Sequence, residues 1–280
     1  MDDEELDFDT LPVEDYKSEL LSYINKYQIF ICIGETGSGK TTKIPQYCAD
    51  SKFEGIEHPR VGITQPRRVA AMTVAQRVAT ERGCHIGEEV GYCIRFDDKT
   101  HPDKTRIKFM TDGVLVRECL SDPSLNKYDV IMLDEAHERS IHTDILFSLV
   151  KVACKERPSL KVIITSATLN SEKFSLYFNK CPIISIPGRV FPVDIYHSKN
   201  KHVVSLSGPV NKSYINSAID LILKIHKEQD SGHILVFLTG QEDIEDACSQ
   251  LRLQFKIIFI INIYELNVII KHNNNIIIYC

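Results

Sequence analysis

A chain of 280 residues, 43% hydrophobic and 25% charged, has material for one large or two ordinary domains and can bury a core without disulfides. Its formal charge of −5 excludes a protein that holds nucleic acid by bulk charge alone, so such a partner must be met through local contacts. Nine scattered cysteines without a CxxC pair or zinc-ligand cluster fit reduced thiols, in nucleus or cytoplasm.

In chain order, residues 1–10, "MDDEELDFDT", read as an acidic tail without the basic-then-apolar pattern of a signal peptide. No apolar run reaches the roughly 18 residues of a membrane span, so no membrane partner is expected. Short apolar runs then alternate with helical patterns: "IFICI", "VGITQ", "IKFMT", "DVIML", "KVIITS" and, much later, "HILVFL". Most are followed by apolar residues at spacings of three and four, as from Val69 to Val78. This alternation predicts an α/β fold with a mostly parallel sheet and helices on both faces. Ligands of such sheets sit at the carboxyl ends of the strands, and polar groups recur there: Gly34 to Thr42, Gln65 to Arg68, Thr111 to Gly113, Asp134 to His137 and Ser166 to Thr168.

"GETGSGKTT" fits the phosphate-loop pattern, with Gly34, Gly39, Lys40 and Thr41 on its defined positions. Glycines let backbone N–H groups turn toward phosphate oxygens, the helix starting near Lys40 adds its positive end, and Thr41 offers a hydroxyl to Mg²⁺. A strand-like run before it and a helical start after it support a nucleotide site over a glycine-rich turn that happens to contain lysine. Further on, "DVIMLDEAHERS" sets Asp134 and Glu135 directly after a buried strand. One carboxylate there can support Mg²⁺ while the next takes a proton from an attacking water.

Asp134-Glu135-Ala136-His137 resembles the namesake box of the DEAH family of RNA helicases, in superfamily 2. Other family signatures follow in order: "TQPRRVAA" and "TDGVLVRE" resemble RNA-contact motifs, and "SAT" the coupling motif. "IPGRVFPV" is similar to the passage between two RecA-like domains, and "LVFLTGQEDI" to the opening of the second. The resemblance covers roughly residues 11 to 252 and implies a P-loop NTPase that couples ATP hydrolysis to RNA or RNP remodelling.

It also implies roles for the matching positions. Gly34, Glu35, Thr36, Gly37, Ser38, Gly39, Lys40, Thr41 and Thr42 would bind ATP, and Thr41 and Asp134 would support Mg²⁺. Glu135 would be the catalytic base, with Asp134, Lys40 and His137 beside it. His137 would face the second domain, Ser166 and Thr168 would couple hydrolysis to movement, and Arg77 would pack on adenine. Arg67, Arg68, Thr111 and Asp112 would meet RNA backbone, as a motor indifferent to sequence requires. Lys104, Arg106 and Lys108 in "KTRIKF" read as one solvated face.

The expected divisions are a tail over 1–10, a first RecA-like domain over 11–188, the incomplete start of a second over 189–254, and an atypical tail over 255–280. The sequence holds no Q-x-x-G-R-x-G-R segment, whose arginines touch the γ-phosphate in this family. The expectation is therefore a truncated member, unable to unwind alone; the alternative is a nucleotide- or RNA-binding module without turnover. The Ile/Asn-rich bias after Lys256 reads as translated AT-rich non-coding sequence, with an ordinary strand pair closing the second domain as the alternative. A monomer is expected, with an accessory activator protein as a possible partner.

Overall fold

The computed structural model describes residues 10–53, 56–167, 171–188, 193–197, 213–229, 234–259, 268–271 and 277–279. Among the expected site residues, Thr168 lies outside these. The chain divides into two units, Met1–Pro192 and Val193–Cys280.

The first unit opens with a short helix α1 (Pro12–Asp15) and α2 (Lys17–Lys26), which lead into β1 (Ile29–Gly34) and α3 (Lys40–Asp50). It continues through β2 (Val61–Gln65), α4 (Arg68–Glu81), β3 (Val90–Ile94), β4 (Asp97–Lys99), β5 (Ile107–Thr111) and α5 (Asp112–Ser121). Next come β6 (Val130–Leu133), a 3-10 turn (Ala136–Glu138), α6 (Ile141–Glu156), β7 (Lys161–Ser166), α7 (Ser171–Tyr177) and β8 (Ile183–Ile186). The eight strands order as β4-β3-β5-β2-β6-β7-β1-β8. All neighbours are parallel except β4, which returns antiparallel to β3.

Strand period two divides the core. Phe30, Cys32, Val61, Ile63, Phe109, Val130 and Met132 face one apolar layer with α2, α3 and α4. Ile31, Met110, Ile131, Leu133, Val162 and Ile164 face the other, with α5, α6 and α7. Both faces are covered, so the central strands are apolar throughout rather than alternating. Every side chain of β6 is buried, and so is every residue of β2.

The second unit contains α8 (Ser213–Glu228), β9 (Ile234–Phe237), α9 (Gln241–Phe259), β10 (Val268–Lys271) and β11 (Ile277–Tyr279). Ile215, Ile219 and Ile222 on α8 pack with Ile244, Ala247, Cys248 and Leu251 on α9. β9 pairs parallel with β10, and β10 antiparallel with β11. Of the described residues past 254, 255–259 end α9, and 268–271 and 277–279 form β10 and β11.

Candidate active site

The sheet delivers four polar turns to the same edge, because β1, β2, β6 and β7 are parallel neighbours ending in register. After β1 the chain turns through Glu35 to Gly39 before α3 begins. Gly37 and Gly39 hold φ of 86° and 89°, a left-handed conformation that L side chains resist. At Gly39 a Cβ would also lie 2.8 Å from Val13 Cγ1 and 2.9 Å from Leu11 Cδ1, so the first helix closes over the loop only because glycine stands there.

Lys40 is buried, and its Nζ donates to Gly34 O at 2.6 Å, Glu35 O at 2.7 Å and Ser38 Oγ at 3.1 Å. Burial pushes its pKa below the usual lysine value, against the pull of Asp134, Cys32, Glu135 and Glu35. Ser38 is tied back by its own Oγ and N–H to Glu35 O. Thr42 Oγ1 donates to Gly39 O at 3.2 Å, which fixes the loop to the first turn of α3. The hydroxyl of Thr41 reaches across the sheet edge and donates to Asp134 Oδ2 at 2.7 Å.

Asp134 is 2% exposed and is held by hydrogen bonds. Besides Thr41, it accepts from Gln65 Nε2 at 2.5 Å and from the Thr165 hydroxyl. The donors come from three elements: the first turn of α3, the end of β2 and the end of β7. A buried carboxylate needs such partners, since desolvation without them costs several kcal/mol.

Glu135 begins the turn in a left-handed conformation, φ 53°, and Arg139 ends it at φ 49°. Non-glycine residues in that region cost about 1–3 kcal/mol each and gather where geometry is functional. Burial, then the neighbouring Asp134, raises the Glu135 pKa above the ordinary carboxylate value, while His137 and Lys40 pull it down. His137 Nδ1 lies 3.4 Å from Glu135 Oε2 and accepts from the Ala167 N–H at 3.2 Å. The histidine thereby joins the acidic turn to the end of β7, where Ser166 is buried.

The RNA-contact candidates lie at the ends of β2 and β5. Arg68 starts α4, and Arg67 pairs with Glu138 at 3.4 Å. Arg68, Thr111, Asp112 and Gly113 line a cavity of about 560 Å³ together with Arg95, Arg117, Ser140 and His142. Asp112 points inward: it is 4% exposed and accepts from Thr143 Oγ1 at 2.6 Å and Ser140 Oγ at 3.1 Å. Arg106 and Lys108 are committed to Glu89 and Glu118 instead. Arg77 is largely exposed on α4 and paired with Glu81 at 2.7 Å.

Sequence reasoning sets Gln65 at a strand mouth without tying it to Asp134, and misses Thr165, a polar residue at the end of an apolar strand. It misses Arg95, because "VGYCI", interrupted by glycine, does not declare itself a strand, and His142, which the start of α6 brings to the cavity; Arg117 lies within "TDGVLVRE" on α5 but carries no role of its own in the sequence reading.

A protein-family model described as DEAD/DEAH box helicase matches residues 15–175. The chain belongs to the DEAD/DEAH box helicase family. Over 238 residues it is 51% identical to the pre-mRNA-splicing factor ATP-dependent RNA helicase prp22 of Schizosaccharomyces pombe. That alignment covers 85% of this chain and 19% of the relative, so the chain spans about a fifth of that protein's length. The box is the DEAH form, and its carboxylates occupy the edge that the phosphate loop shares in this helicase-family domain. Among the described residues, no helix is long and apolar enough to cross a membrane.

Proposed function

We propose that this chain is an ATP-binding and ATP-hydrolysing unit of a DEAH-box RNA helicase, working on RNA or RNP. The observation that carries the reading is the 2.7 Å bond from Thr41, just after the phosphate loop, to Asp134, with Glu135 next in sequence. The backbone of Gly37 to Gly39 and the Lys40 ammonium bind the phosphates, and Arg77 packs on adenine.

Thr41 and Asp134 are hard oxygen donors of the number Mg²⁺ takes from protein when phosphates and water complete its shell, so these residues fit that ion. When bound, Mg²⁺ neutralises charge developing on the transferred phosphate. Gln65 and Thr165 hold the Asp134 carboxylate in place, and Glu135 takes a proton from the attacking water. Its raised pKa suits a base working near neutral pH. His137, in contact with both Glu135 and Ala167, passes the state of the site to the coupling segment that contains Ser166 and Thr168. Arg67, Arg68 and Thr111 meet RNA backbone, while Asp112, next to Thr111, ties the start of α5 to the start of α6.

The relative's name supports RNA of the splicing machinery, and hence the nucleus, as the working context. Fluorescent ATP-analogue titration tests the reading. Binding should be Mg²⁺-dependent, lost in Lys40→Ala and kept in Glu135→Gln. Single-turnover hydrolysis should fall about 10²–10⁴-fold in Glu135→Gln. Unchanged binding in Lys40→Ala would overturn the assignment.

A further inference from the structure

We propose that Gly188 is a positioning residue for the phosphate loop, the absence of a side chain there being what lets Glu35 take its place. The inference rests on the nucleotide reading of the loop and extends it to a residue outside the phosphate-loop motif. β8 runs parallel to β1, with Ile186 opposite Gly34. The approach is already close there: a Cβ on Gly34 would lie 3.1 Å from Ile186 O. Shortly beyond, a Cβ on Gly188 would overlap Glu35 Oε2 and lie 2.6 Å from both Glu35 Cβ and Cδ.

The Oε2 overlap alone could be relieved by a rotamer change. The clash with Cβ cannot, because that atom is fixed by the loop backbone. Gly188 has no left-handed φ, so what position 188 requires is space rather than backbone freedom. The Glu35 backbone is the structural centre of the loop, since its carbonyl accepts from Lys40 Nζ at 2.7 Å, Ser38 Oγ at 2.8 Å and Ser38 N at 3.2 Å. A side chain at 188 therefore pushes on the group that orients Lys40 and the loop N–H donors. Its effect appears in nucleotide binding, and the sheet is untouched, because Gly188 lies past the last residue of β8.

The experiment measures affinity for an ATP analogue in the full chain for wild type, Gly188→Ala, Glu35→Gly and the double variant, with far-ultraviolet circular dichroism on each. Gly188→Ala is expected to raise Kd about tenfold, the scale of overpacking in a tight contact. In the Glu35→Gly background, where the obstructing atoms are gone, the same substitution should change Kd by less than about twofold. A Kd unchanged by Gly188→Ala, or a penalty that persists undiminished without the Glu35 side chain, overturns the proposal. Failure of the wild-type chain to bind the analogue overturns the reading of the loop, and the proposal with it.

Discussion

Glu135 concentrates the residue-scale physics: a left-handed backbone, partial burial and a carboxylate neighbour act on one side chain. Its folded-state pKa is raised above the ordinary 4.5, so its contribution to stability is present in acid and is lost as pH rises through the folded value. At neutral pH the ionised group costs stability that glutamine does not. Glu135→Gln is therefore expected to raise the Tm at about pH 8 and leave it nearly unchanged at about pH 4. A scanning-calorimetry difference that is equal at both pH values would contradict this origin. The same residues mark how far the site is legible in sequence. Lys40, Thr41, Asp134 and Glu135 follow from spacing, because a phosphate loop and an acidic pair are local patterns. Gln65 and Thr165 act only through Asp134, more than thirty residues from either, and no local pattern encodes that meeting. Asp112 is expected from sequence at the RNA backbone, but a carboxylate beside phosphates is repelled, and this one is turned inward to two hydroxyls.

At the scale of elements, those hydroxyls join two helix starts. Asp112 is the first residue of α5, and Ser140 caps α6 by accepting from the Thr143 N–H at 3.0 Å. The Asp112 carboxylate so serves the positive ends of both helices. One of its oxygens is buried without a hydrogen-bond partner among the described residues, so the bonds to the other matter more. Thr143→Val keeps the shape and removes the shorter bond, which should destabilise the fold by about 1.5–3 kcal/mol. The check is a lower urea midpoint at unchanged m; a wild-type midpoint would show the junction to be dispensable. Element by element, the strands that are β-branched and bounded by polar turns are legible directly: β1, β2, β5, β6, β7 and β9. β3 and β8 are not, for physical reasons. β3 carries Gly91, whose missing side chain makes room for the β4 return, since a Cβ built there would overlap Lys99 O. β8 has only four residues at the sheet edge and gains its identity from pairing with β1.

On the scale of the whole molecule, a net charge of −5 stands against the RNA partner proposed above. The opposition is resolved by where the cations stand. Arg106 and Lys108, toward the start of β5, are paired with glutamates, whereas Arg68, Arg95, Arg117 and His142 converge on the cavity at the far ends of the strands. That is the edge on which parallel sheets present ligand sites, and it is the edge of the phosphate loop as well. Binding through such a cluster is backbone-directed: it depends on salt and is indifferent to sequence. Arg68→Ala and Arg95→Ala should each weaken single-stranded RNA binding to a similar degree for unrelated sequences. For each phosphate that a variant ceases to neutralise, the slope of log K against log salt should shrink by about 0.7. Lys108→Ala, at the other end of β5, should leave that slope unchanged, because its charge is already matched by Glu118 at 2.8 Å. Fluorescence anisotropy across a salt series with two RNA sequences separates the cases. Weakening confined to one RNA would mean base readout at this cavity, and equal weakening in Lys108→Ala would mean that bulk charge, not the cluster, holds the strand.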